Sequence, residues 1–196
     1  LYANNAGPVN WKDLWDIREP SGFARTFGAR PTIMYSTSSE YFLLVNSPYS
    51  TGTYVTLYRI TNPVSSPVMT AVNVPVVQYT GPPSANQLGG SSMLIETGGV
   101  SFKYEPIFKN GFLWAVHSVR NTSFNPYSSV RYMKINTTTN ATVEDVEMGA
   151  NGFWHFYPSL AVDKDNNVAI TYSRSGTTEY IGAFYTSRLN SDPPGL

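Results

Sequence analysis

Three residue–proline pairs pace this chain. Arg30-Pro31, Glu105-Pro106 and Tyr157-Pro158 each open an apolar run: Pro31-Thr-Ile-Met-Tyr35, Pro106-Ile-Phe108 and Pro158-Ser-Leu-Ala-Val162. Each leads to a second run, at Tyr41–Asn46, Phe112–His117 and Val168–Tyr172. A third run then returns at nearly the same distance every time. Val55–Ile60 begins 24 residues after Pro31, Val130–Ile135 begins 24 after Pro106, and Ile181–Thr186 begins 23 after Pro158. In the first two units a fourth run follows, Val68–Val74 and Thr142–Met148, starting 37 and 36 residues after the proline. Proline suits the first position of a strand because that residue needs no ladder donor. The runs are short and rich in Val, Ile, Tyr and Phe, as expected of strands packed on both faces. Turn formers separate them, as in Ser47-Pro-Tyr-Ser-Thr-Gly52.

Four-stranded meanders recurring at about 50 residues are the signature of propeller blades. The expected fold is therefore all-β, a β-propeller segment of four-stranded antiparallel blades occupying 1–196 as one module. The blade-like units fall at about 30–75, 105–148 and 157–196. The third unit lacks a fourth run. Lys12–Ile17 precedes Pro31 much as Thr142–Met148 precedes Pro158, so 12–17 reads as an orphan strand. The missing strand is expected from that segment or from another chain. Propellers typically have four or more blades, so completion is expected from a longer polypeptide or from other copies. The stretch 78–99, with Gly81-Pro82-Pro83 and Gly89-Gly90, reads as an inter-blade insertion. Long ordered loops tend to be functional; the alternative is a passive cover over a sheet edge.

Composition narrows the function classes. Charged residues make up 13% and balance to a net charge of zero, so no basic footprint for nucleic acid exists. No apolar run reaches the length of a membrane span. Cysteine is absent, which excludes thiol chemistry and Cys-ligated zinc. A start at Leu1-Tyr2-Ala3 suggests a processed or truncated N-terminus. Three tripeptides fit the N-glycosylation rule, at Asn121, Asn136 and Asn140, and lean toward an extracellular or cell-surface protein.

The runs Leu57-Tyr58-Arg59-Ile60-Thr61-Asn62-Pro63, Tyr157-Pro158-Ser159-Leu160-Ala161-Val162-Asp163 and Ser191-Asp192-Pro193-Pro194-Gly195 carry a resemblance. They look like a family of secreted microbial proteins of unassigned function, labelled sialidase-like for their propeller repeats. The resemblance covers the chain from about Asp13 to Leu196. Members of that family have further blades ahead of this region. The resemblance implies the C-terminal part of a propeller and transfers no activity.

Candidate chemistry is sparse. Asp163-Lys-Asp165-Asn-Asn167 spaces three oxygen-bearing side chains alternately, which suits Ca²⁺. The twelfth position holds Arg174 where an EF-hand needs Glu, and a plain hairpin turn explains the same residues. No other cofactor is expected. A sialidase site needs clustered arginines and a tyrosine backed by a carboxylate. Arg30, Arg120, Arg131, Arg174 and Arg188 are available, with Glu179-Tyr180 adjacent. Nothing in their spacing brings them together. His117 and His155 are two histidines without cysteine, better suited to packing against aromatics than to metal. Trp11, Trp15, Trp114, Phe153, Trp154, Phe156 and Tyr157 form either a sugar- or protein-binding surface, with Trp11, Trp15 and Trp154 foremost, or the packing between blades. The expected role is an extracellular, non-enzymatic propeller module with a surface, structural or binding function. Its partners are other copies, further polypeptide or carbohydrate. The alternative is a fragment of a sialidase-like glycoside hydrolase.

Overall fold

The computed structural model describes residues 13, 14, 16–63, 65–90 and 93–193. Within them the chain is all-β, with twelve strands and no helix. The strands are β1 (Arg30–Pro31), β2 (Ile33–Met34), β3 (Tyr41–Asn46), β4 (Thr51–Thr61), β5 (Val68–Thr80) and β6 (Ile107–Lys109). They continue with β7 (Phe112–Arg120), β8 (Ser128–Asn136), β9 (Ala141–Met148), β10 (Phe153–Val162), β11 (Val168–Gly176) and β12 (Glu179–Arg188). They form three sheets, in the order β1-β3-β4-β5, β2-β6-β7-β8-β9 and β10-β11-β12. All neighbours are antiparallel except β2 and β6, which run parallel with Ile33 opposite Ile107.

The third-run stretches Val55–Ile60 and Val130–Ile135 are both paired strands, each flanked by the second and fourth runs of its unit. The first run of the first unit divides, contrary to expectation. Pro31 stays opposite Leu43, whereas Ile33 N–H donates to Pro106 O and Tyr35 N–H to Phe108 O, so the chain crosses to the second sheet. Pro106 has no N–H of its own but offers its carbonyl, and Ile33 takes it.

The sheets stack face to face. Phe42, Leu44, Val55, Leu57 and Val74 of the first sheet meet Phe108, Leu113, Ala115, Met133 and Ile135 of the second. The other face of the second sheet presents Ile107, Trp114, Val116, Val130 and Tyr132 to Val162, Val168 and Ile170 of the third. The middle sheet is thus buried on both sides. That is why β7 reads as an almost unbroken apolar run: alternate side chains point to opposite faces, and each face has a sheet against it.

Two expectations are corrected at the ends of the stack. Residues 13, 14, 16 and 17 carry no strand; Lys12 and Trp15 lie outside the described residues. The chain from Ile17 folds back on itself, with Thr26 N–H on Ile17 O and an isolated bridge between Arg18 and Arg25. It lies on the outer face of the first sheet. Tyr58 Oη donates to Arg18 O at 3.0 Å, and Tyr54 Oη to Glu19 Oε2 at 2.8 Å. These described residues sit at the far side of the stack from β12 and do not complete the third sheet. The insertion also begins later than position 78, because β5 continues to Thr80 opposite Thr51. The described residues of 81–106 form a cover. Ala85 pairs with Ile95, Ala85 and Ile95 pack on Trp154 and Phe156, and Phe102 is buried between the first two sheets.

Candidate functional site

The five arginines do not converge. Arg30 Nε donates to Phe102 O at 2.9 Å, and Arg120 Nη1 to Asn125 Oδ1 at 3.0 Å. Arg174 makes a two-toothed pair with Glu179, at 2.7 and 3.0 Å, between the rings of Phe153 and Phe184. This pairing commits the Glu179 carboxylate, and the Glu179-Tyr180 pair gains no role from it. Arg131 and Arg188 are the clamps between sheets. On β9, Glu144 and Asp145 point to opposite faces. Asp145 Oδ2 accepts Val77 N–H of the first sheet at 2.7 Å, and Arg131 Nη1 donates to Val77 O at 2.6 Å. Arg131 also reaches Asp145 at 3.5 Å and Glu147 at 3.2 Å. Glu144 faces the third sheet and takes Arg188 Nη1 at 2.6 Å, with Lys134 at 3.6 Å. Burial holds the Asp145 carboxyl above the usual carboxylate range, opposed by the Val77 amide and Arg131.

A tyrosine–carboxylate pair exists where sequence spacing did not point. Tyr157 Oη bonds Glu96 Oε2, and Glu96 Oε1 accepts Gly98 N–H at 2.6 Å. Tyr157 holds φ of 51° at the bulge in β10, directly before Pro158. For a bulky residue that conformation is an outlier. The partners are 61 positions apart, so only the return of the insertion loop unites them.

Both histidines pack on aromatics. His117 lies with its ring centroid 5.0 Å from Tyr79 and 5.2 Å from Phe102, and His155 lies 5.2 Å from Tyr172. Burial lowers each imidazole to about 4; the Arg174 charge adds to this at His155. Trp154 is 6% exposed, donates its indole N–H to Pro126 O at 3.2 Å and packs on Tyr127. It belongs to the interior, as in the packing alternative. Trp11 and Trp15 lie outside the described residues.

The turn at Asp163 uses its own oxygens. Asp163 Oδ1 accepts Asp165 and Asn167 N–H, both at 2.9 Å, and Oδ2 accepts the Asn167 amide at 2.8 Å. The Asn167 side-chain bond, ahead of the two backbone N–H groups, holds the Asp163 carboxyl below its ordinary range. Asp165 pairs with Lys164, and Asn167 Oδ1 accepts Asn190 N–H. The three side chains therefore do not point their oxygens at one centre. Asp163→Ala is expected to lower stability by about 1 kcal/mol, equally in calcium and in chelator, in parallel thermal melts.

The three sequons differ. Asn121 is 5% exposed, and its Oδ1 accepts Ser123 and Phe124 N–H at 2.8 and 2.6 Å. A glycan there would have to displace the residues that bury this side chain. Asn136 and Asn140 flank an exposed turn and are half-buried. Expression through a secretory pathway is expected to give glycan on Asn136 or Asn140 and none on Asn121 in the folded fraction, read by glycopeptide mass spectrometry.

The third sheet presents an edge that no described strand pairs with and an exposed outer face. Its inner face carries Val162, Val168 and Ile170 against the second sheet. Its outer face presents Ala161, Ala169, Thr171, Ala183, Tyr185 and Ser187, all exposed. Along β12, Tyr180, Ile181 and Tyr185 are 64%, 48% and 78% exposed. No described strand pairs with its outer edge, and the loop meets its start through Leu88 N–H on Glu179 O. An exposed edge with apolar side chains is a template for another strand. Compared with models of protein families, with curated proteins and with solved structures, the chain finds no match in any of the three.

Proposed function

We propose that the chain is a run of propeller-type units serving as an extracellular, non-enzymatic module with a surface, structural or binding role. The ring is completed by further β-meander units docking on the third sheet. One observation carries this: no described strand pairs with the outer edge of β12, and the sheet behind it shows a face of Ala, Thr and Tyr to solvent. The first and second sheets support it by architecture, because each is stacked face to face on a neighbour, there through larger apolar side chains such as Leu57 and Trp114. The occupant is a strand and sheet of the same kind as those present, from a second copy or from further polypeptide. The resemblance to secreted sialidase-like propellers accords with this.

Two arms distinguish the sources. Light scattering of this chain over rising concentration detects self-association, and solution scattering of the complete gene product detects a closed ring. Ile181→Lys with Tyr185→Lys is expected to abolish association while leaving the thermal midpoint near that of the parent. A monomer in the first arm, together with freely exchanging β12 amides in the complete product, would overturn the proposal.

The second reading is a hydrolase of the sialidase kind. The Tyr157–Glu96 pair favours it, and the scatter of the guanidinium groups weighs against it. Cleavage of a fluorogenic sialoside that is lost in Tyr157→Phe would establish it.

A further inference from the structure

The loop between β2 and β3 frames an open cleft of about 380 Å³ lined by Met34, Tyr35, Ser36, Thr37, Ser38 and Tyr41. It lies where the first and second sheets meet. Tyr35 N–H is held by Phe108 O of the second sheet at 2.8 Å, while Tyr41 begins β3 of the first, opposite Ile60. The two rings are 53% and 50% exposed. Single exposed aromatics are ordinary on a protein surface. Here two line one cleft together with three hydroxyl side chains.

The frame is fixed rather than loose. Ser36 Oγ donates to Asn110 Oδ1 at 3.0 Å and accepts Asn110 N–H at 2.9 Å. Ser38 Oγ accepts Glu40 N–H at 3.0 Å, and the Glu40 carboxylate is turned to Arg59. No lining residue carries a charge. Ring faces cover apolar C–H surface at little entropic cost, and hydroxyls both donate and accept hydrogen bonds.

From these features we infer that the Tyr35–Tyr41 cleft is a binding site for neutral oligosaccharides. A pyranose has an apolar C–H face for an aromatic ring and a rim of hydroxyls for Thr37 and Ser38, while Ser36, held by Asn110, keeps one lone pair to accept a further bond. A carboxylate or phosphate would find no cation in the lining. The site does not depend on association through the third sheet.

Saturation-transfer NMR on the intact chain tests this, with cellotriose, maltotriose, laminaritriose, chitotriose and N-acetylneuraminic acid as probes. Transfer to the ring C–H protons of at least one neutral trisaccharide is expected, and none to N-acetylneuraminic acid. Tyr35→Ala with Tyr41→Ala is expected to weaken binding by about four- to hundredfold, since each stacked ring is worth about 0.5–1.5 kcal/mol, which converts to about two- to tenfold per ring. The Tyr35→Phe, Tyr41→Phe variant keeps both ring faces and retains binding. Ile181→Lys with Tyr185→Lys leaves binding unchanged, which separates this site from the third-sheet proposal. Silence of all four neutral sugars would overturn it. So would preference for N-acetylneuraminic acid, or undiminished binding in the folded alanine variant.

Discussion

Arg131→Met is expected to remove about 3–5 kcal/mol of folding stability, the usual loss when one partner of a buried ion pair is deleted. The guanidinium side chain is 3% exposed and lies in β8, with Asp145 and Glu147 of β9 beside it. It also holds Val77 O of the first sheet, while Asp145 holds Val77 N–H. Methionine fills much of the volume but leaves two carboxylates without their cation. The pH dependence identifies the cause. The folded Asp145 carboxyl already titrates above its ordinary value because of burial, and Arg131 opposes that rise. Without Arg131 the rise grows, so the folded variant binds its proton at higher pH than the unfolded chain does. Its ionised form then destabilises the fold, and acidification relieves the penalty. The gap between variant and parent should therefore narrow as pH falls from about 7 to about 5 in urea titrations. Equal midpoints for the two proteins at about pH 7 would show that the clamp contributes little.

The parent itself is expected to lose stability between pH 6.5 and about 4, because His117 and His155 are buried neutral and titrate near 4 when folded. The unfolded chain binds protons at both imidazoles below their ordinary value and the folded chain does not. Stability is full above pH 6.5 and falls as pH drops toward 4. Each histidine contributes on the order of 3 kcal/mol to that loss, and together they approach the total stability of a typical domain. Asp145 acts in the opposite sense toward the acid end of this window. Asp16, Glu19 and Asp163 have depressed carboxyls, so their contributions are lost only at lower pH. His117→Gln with His155→Gln should flatten the slope, since an amide carries no proton to bind. A parent whose urea midpoint stays constant from pH 6.5 to 4, or imidazole resonances that titrate near 6.5, would contradict the account.

These effects show how the stack is held. Apolar faces bring the sheets together, and charged pairs at β9 connect the second sheet to both neighbours. Glu144 and Asp145 are adjacent in sequence, yet one reaches Arg188 of the third sheet and the other Val77 of the first. The third sheet's outer face is made of smaller side chains, Ala, Thr and Ser with Tyr185, and no described strand pairs with its β12 edge. This contrast underlies the proposed association.

Several features could be read from the chain alone. The proline offsets placed the second, third and fourth runs, and each of those runs is a strand. The Val, Ile, Tyr and Phe content of the runs, Phe112–His117 among them, pointed to strands packed on both faces, and the second sheet is buried so. The turn at Asp163 was visible from Asp and Asn at alternate positions. All of these depend on residues within a few positions of one another, where backbone periodicity and turn chemistry act. Tertiary structure alone decided the rest. It split Arg30–Met34 between two sheets, buried Asn121, gave Glu179 to Arg174 and Glu96 to Tyr157, and set Tyr35 and Tyr41 around one cleft. The physical reason is range. Strand alternation assigns a side chain to a face, but the side chain it meets there depends on sheet order and register between residues far apart in sequence, which no local pattern encodes.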